Sequence, residues 1–240
     1  MKTDNIAMET FLCRMEHRIP FIENGIYHVY NRANGTEQIF RNFGNYDFFL
    51  KKYHEYMDPH WETLVYCLMP THFHVMVRVR PGANPELSTS DACIKAYADF
   101  CNGYVQAFNK QHGRRGSLFM RSFKRRSVPD EMYARKLICY IHNNPVKDGF
   151  VRSADDWYHS SFSEFSKMTA HECDKNEVVQ RFSSKGNFLH AHIAELSPGS
   201  INIQYKDKTS GPKVVELVYD QMKPDERAIH EWLREFDIAG

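Results

Sequence analysis

The spacing of apolar and polar positions changes several times along the first 165 residues, and each change marks an element. Residues 25–34 (GIYHVYNRAN) alternate and are rich in β-formers, which predicts a strand closed by the turn dipeptide Asn34-Gly35. Residues 46–57 carry apolar side chains at helical spacing and stop at Asp58-Pro59. Two strands, 64–69 and 72–80, are expected on either side of Pro70-Thr71. A long helix follows over 91–110, with Ile94, Tyr97, Ala98, Cys101, Val105 and Phe108 along one side. Residues 116–128 predict a fourth strand and 129–143 a further helix. This order implies a compact α+β domain, a split antiparallel sheet with helices packed on one face. Residues 1–20 are expected to form a short helix or arm. Beyond Ser153 the pattern loosens, with a packed turn at WYHSSFSEF and helices near 177–181 and 225–236. The division expected is a domain over 1–165 and a mainly helical extension over 166–240 of unassigned role.

The composition narrows the setting. The chain has 240 residues, 42% of them hydrophobic and 14% aromatic, which predicts a globular protein with a sizeable core. No run approaches the roughly 18 apolar residues of a membrane span, and the opening MKTDNIAMETFLCRMEHRIP has no secretory apolar core, so a cytoplasmic protein is expected. The six cysteines form no CxxC pair and sit mostly in apolar segments, which reads as reduced, buried thiols. The net charge of +1 conceals a division, because residues 110–152 hold eleven Lys and Arg against three Asp and Glu while both flanks are net acidic. Such a concentration suits a polyanion, although a solvated charged face would look the same.

Candidate chemistry lies beside that basic stretch. His72 and His74 are two apart in a segment where Phe73, Val75, Val77 and Val79 alternate with His72, His74, Met76, Arg78 and Arg80. On a strand both imidazoles then project from the polar face, where they can share one metal ion or satisfy each other as a hydrogen-bonded pair. A second pair, His190 and His192, lies in a helix-favouring segment where residues two apart diverge, and is expected to be ordinary surface histidine. Two histidines fill only part of a coordination shell. Asn144 can add an oxygen, and such a shell favours Mg²⁺ or Mn²⁺. Asn144 precedes Pro145, however, which pushes its backbone away from the helical region. Asn144 also follows Tyr140 by four residues, on one helical face. Tyr140 is a candidate nucleophile toward phosphorus, with Tyr133, seven residues earlier, as its rival and a simple packing role as the alternative. In GRRGSLFMRSFKRRSV, Arg114, Arg115, Arg121, Lys124, Arg125 and Arg126 interleave with Leu118, Phe119 and Phe123, which suits partly unpaired nucleic acid or, alternatively, a charged edge strand. Arg32 and Lys147 complete the candidate DNA contacts.

Four blocks in order, YHVYNRANGTEQIF, YCLMPTHFHVMVRV, GSLFMRSFKRRSV and LICYIHNNPVKDGFV, resemble the single-tyrosine transposases of the HUH nuclease superfamily, and REP-associated tyrosine transposases in particular. The resemblance covers roughly residues 20–165. It implies a ferredoxin-like antiparallel sheet carrying His72 and His74 as the metal pair, Tyr140 as nucleophile and Asn144 as third ligand. The chemistry it implies is metal-dependent nicking and strand transfer of single-stranded or hairpin DNA through a 5′-phosphotyrosine, without a nucleotide cofactor, by a monomer or homodimer. Thr71 stands where the family usually has Asn and Met120 where Gln is common, which bears on how DNA is guided. The competing expectations are a non-catalytic binder of single-stranded or hairpin DNA and a metal-dependent RNA or DNA hydrolase using activated water.

Overall fold

The computed structural model describes residues 19–82 and 87–196. The expected N-terminal arm up to residue 18, Cys13, most of the loop before residue 87 and the helix expected near 225–236 lie outside them. The elements run β1 (Ile26–Arg32), α1 (Phe43–Met57), β2 (Trp61–Met69), β3 (His72–Val79), α2 (Thr89–Gln111), β4 (Lys124–Ser127) and α3 (Glu131–Lys147). After a 3₁₀ turn (Ala154–Asp156) come α4 (Phe162–Lys167), α5 (Ala170–Lys175), α6 (Glu177–Gln180) and α7 (Lys185–Glu195). The four strands form one antiparallel sheet in the order β2-β3-β1-β4. This is the ferredoxin-like arrangement that the order of elements implies.

Strand alternation divides the core. Tyr27, Val29, Phe73, Val75, Val77 and Val79 face α1 and α2 and pack with Phe49, Tyr53, Phe100 and Tyr104. The opposite face is also covered. Val65, Cys67, Met69 and Met76 pack there against Leu137, Ile138 and Ile141 of α3 and against Trp157, Phe182 and Phe188 from the segments that follow. Residues 166–196 therefore share a core with β2 and α3. In β2 a bulge between Thr63 and Val65 turns the strand over, so that Trp61 serves the α1/α2 core while Val65, Cys67 and Met69 serve the α3 core. The free edge of β2 is closed by residues 159–161, with Leu68 N–H donating to His159 O and Ser161 N–H to Tyr66 O.

Helices cover both faces of the sheet rather than the one expected, and three further expectations change. Only Lys124–Ser127 of the stretch 116–128 is a strand, because Leu118 and Phe119 turn into the core and the chain before them is tied down by Arg114. The helix expected to end at residue 143 continues through Asn144-Pro145 to Lys147. A proline this close to a helix end removes one backbone hydrogen bond in a turn where few remain, and Asp148 N–H still reaches Asn144 O. Gly149 closes the helix at φ +76°, a left-handed conformation that glycine adopts without steric cost. The third change concerns His192, which is buried at 3% exposure rather than on the surface, while His190 is exposed.

Candidate active site

Register builds the site. Between β1 and β3, Tyr30 pairs with His74 and Arg32 with His72, and between β1 and β4, Tyr30 pairs with Lys124 and His28 with Arg126. Paired residues share a face, so His28, Tyr30, Arg32, His72, His74, Lys124 and Arg126 form one polar surface on the side of the sheet that α3 covers. Tyr140 descends on it from α3. Its ring centre lies 5.6 Å from that of His74 at 80°, and 6.3 Å from that of His28 at 78°.

The two histidines are held alike. Their ring centres are 5.1 Å apart. His74 Nδ1 lies 2.9 Å from His28 Nε2, and His72 Nδ1 lies 3.2 Å from the Thr71 hydroxyl. Each ring thus has its Nδ1 within reach of a hydrogen-bond partner, so Nε2 is the nitrogen that would face a metal ion, as is usual for metal-binding histidine. His74 is buried, and burial, with His28 and His72 beside it, holds its pKa well below the ordinary histidine value. Burial, helped by Arg126, lowers His28 to about 3. Both rings are therefore neutral at neutral pH, the state in which imidazole binds metal. Asn144 is buried and donates its amide to Tyr140 O at 2.9 Å, which leaves Oδ1 as its remaining donor atom toward a cation. Two imidazoles and an amide oxygen fit a divalent cation. Among the described residues no three His, Cys, Asp or Glu side chains form a metal cluster.

Cations surround the tyrosine. Lys147 Nζ lies 5.1 Å from the Tyr140 ring centre and 3.1 Å from Glu195 Oε1. Lys124 Nζ lies 5.8 Å from the centre of Tyr30. Arg115 and Arg121 are exposed in the connection between α2 and β4. Tyr133 is in the first turn of α3, two turns from Tyr140, where its backbone N–H is capped by Asp130.

Two expected DNA contacts are structural instead. Arg114 forms a two-pronged pair with Glu37 at 2.5 Å and donates further to Asn109, Gly116 and Ser117, so its guanidinium is consumed in tying the loop down. Arg125 points to the opposite face, is 4% exposed, donates to Ile19 O and stacks on Phe21 and Phe123. Leu118 and Phe119 are buried, and Phe123 packs against the same core, so these side chains support the fold rather than stack with bases. His28 and Tyr30 escape a reading of one segment at a time. Their alternation in YHVYNR is legible, but only the pairing of β1 with β3 brings them to His74.

No family model matches the chain. Over 105 residues it is 29% identical to a protein of Haemophilus influenzae provisionally named a REP-associated tyrosine transposase. That alignment takes in 42% of this chain and 59% of the relative, so the chain spans about three-fifths of the relative's length. Among solved structures it resembles a REP-associated tyrosine transposase bound to a REP hairpin, with a TM-score of 0.50 and 18% identity over 61% of this chain and 82% of that one. The likeness read from the four sequence blocks recurs in both comparisons.

Proposed function

We propose that this protein is a metal-dependent single-tyrosine nuclease and strand transferase acting on single-stranded DNA at hairpins or repeats. The observation that carries the reading is the Tyr140 ring lying over His74 on a sheet face rimmed by Arg32, Lys124 and Arg126. His72 and His74, through Nε2, and Asn144, through Oδ1, would hold Mg²⁺ or Mn²⁺, which supplies charge neutralisation at the scissile phosphate. Tyr140 Oη attacks phosphorus. The Tyr–O–P bond forms as the P–O3′ bond breaks, the phenol gives up its proton and the departing 3′ oxygen takes one, leaving a 5′-phosphotyrosine and a 3′ hydroxyl. The Lys147 ammonium favours the phenolate that forms during attack. Arg32, Lys124 and Arg126, with exposed Arg115 and Arg121, hold the DNA backbone. The relatives' names support the class of substrate, and the positions of Tyr140 and the histidines support the class of reaction.

The test is a denaturation-resistant protein–DNA band with labelled hairpin-bearing oligonucleotides and Mn²⁺ or Mg²⁺. Tyr140→Phe is expected to abolish the band and retain DNA binding, while Tyr133→Phe retains both. Cleavage without any protein-linked product would favour an activated-water hydrolase, and binding without cleavage a non-catalytic DNA-binding protein.

A further inference from the structure

We infer that Met120 contacts a DNA base: its side chain takes the unpaired base of the nucleotide next to the phosphate held at His72 and Arg32. The inference rests on the reading above. Strand pairing places the residue. Ala33 bridges Phe119 in antiparallel sense, and Met120 N–H donates to Arg32 O at 2.9 Å, so Met120 stands opposite Arg32 as Arg32 stands opposite His72. Phe119 is buried in the core formed with α1 and α2, so its neighbour Met120 faces the other side, the one from which His72 and His74 project. His72, Arg32 and Met120 thus form one row across three adjacent segments. Segments so paired lie about 4.8 Å apart, which puts the backbone of Met120 about 10 Å from that of His72. A strand whose phosphate lies at the first two residues can lay its neighbouring base on the third.

The backbone there is fixed, yet the side chain is uncovered. Asn34 donates its N–H to Leu118 O at 2.9 Å and its amide to Phe119 O at 2.8 Å, and the Asn31 amide donates to Met120 O at 3.4 Å. Beyond Met120 the chain leaves the ladder, because Arg121, Ser122 and Phe123 together stand opposite Asn31 before Lys124 rejoins Tyr30. Met120 is 41% exposed, between Arg32 and the exposed Arg121. A lone exposed methionine is ordinary on a protein surface. One held rigidly among cations that face DNA fits a single-strand groove, in which cations take the backbone and apolar groups take the bases. The thioether is polarisable, attracts aromatic rings and serves elsewhere as a wedge between bases. It has no strong hydrogen-bonding group, so it touches a base without reading its edge.

Fluorescence anisotropy with the full-length protein in EDTA, without metal-dependent cleavage, tests this. The probes are labelled hairpin-bearing oligonucleotides in which each unpaired nucleotide in turn is made abasic. The parent protein is expected to lose about three- to tenfold in affinity at one position beside the cut that Mn²⁺ produces, and less when that base is merely exchanged. Met120→Ala should lose as much on the intact strand, show no further loss at the abasic position and keep the parent's salt slope. Met120→Leu should behave as the parent does. Arg121→Ala should flatten the salt slope and retain the abasic loss. Equal abasic losses in Met120→Ala and the parent overturn the inference, as does a coupled position remote from the cut. If the parent also cleaves, only the role of Met120 falls. If the parent binds none of the strands, the DNA reading falls with it. Coupling at one position without any cleavage keeps the base contact and overturns the nuclease reading.

Discussion

His28 Nε2 and His74 Nδ1 face each other at 2.9 Å across the β1–β3 ladder, both rings buried and both too weakly basic to be charged at neutral pH. One proton is therefore shared between the two rings, and its side decides which nitrogen of His74 offers a lone pair. For Nε2 to bind a cation the proton must sit on His74 Nδ1, with His28 as acceptor. His28→Leu removes that acceptor and is expected to lower Mn²⁺ affinity about 10–100-fold, whereas His28→Gln, whose carbonyl oxygen can accept, loses less. Equal losses in titrations of the two variants would show that His28 only fills space.

The basic stretch separates into two classes. Lys124→Ala, Arg126→Ala and Arg121→Ala are expected to weaken DNA binding and to reduce its logarithmic salt slope by about 0.7 for each phosphate of a single strand that the variant no longer neutralises. Arg125→Ala and Arg114→Ala should instead lower the unfolding free energy, on the order of 1–3 kcal/mol, because they strip hydrogen bonds and ring stacking from a buried or tied-down guanidinium. Salt series and denaturant melts on the five variants check the division. An Arg125 variant of full stability but flattened salt slope would refute it.

A third expectation concerns acid. His142 Nδ1 lies 2.9 Å from His192 Nε2, His192 Nδ1–H donates to Phe188 O at 2.7 Å, and the Ser161 hydroxyl lies 2.9 Å from His142 Nε2. Protonating both rings breaks this chain of bonds, because the two facing nitrogens would then both carry hydrogen. Burial lowers His192 to about 4 and His142 well below the ordinary value, and His28 and His159 fall to about 3 for the same reason. In the unfolded chain each histidine takes up a proton near pH 6.5. Between that pH and the folded value the unfolded state binds more protons, so stability is full above about pH 6.5 and declines as pH falls, by about 1.4 kcal/mol per pH unit for each such histidine. Denaturant midpoints between pH 7 and pH 4 should show the decline. His192→Leu should make it shallower by one group while lowering stability at pH 7, and His190→Ala, at an exposed position, should leave both unchanged.

Alternation and spacing carry much of the site. The run from His72 to Val79 shows its two faces directly, and Tyr140 and Asn144 share a helical side by spacing alone. What spacing cannot carry is the identity of a partner. Arg114 and Lys124 look alike in the sequence, yet one has Glu37 opposite it and the other stands over Tyr30 on the site face. The bulge at Leu64 is hidden for a related reason, since an inserted residue breaks the period by which a strand is recognised, and the strand then reads as starting at the bulge.

The far side of α3 has a consequence for how the protein tolerates shortening. His142 and Asn143, the neighbours of Tyr140 and Asn144 on the same two turns, are gripped from behind by His192 and its carbonyl, and Lys147 is paired with Glu195. The segment that carries His192 thus acts as a jig for the nucleophile, although His192 stands behind the helix rather than on the sheet surface where DNA would react. A protein cut after residue 165 would keep every side chain of the proposed chemistry and lose the alignment, so a working fragment must include His192 and Glu195.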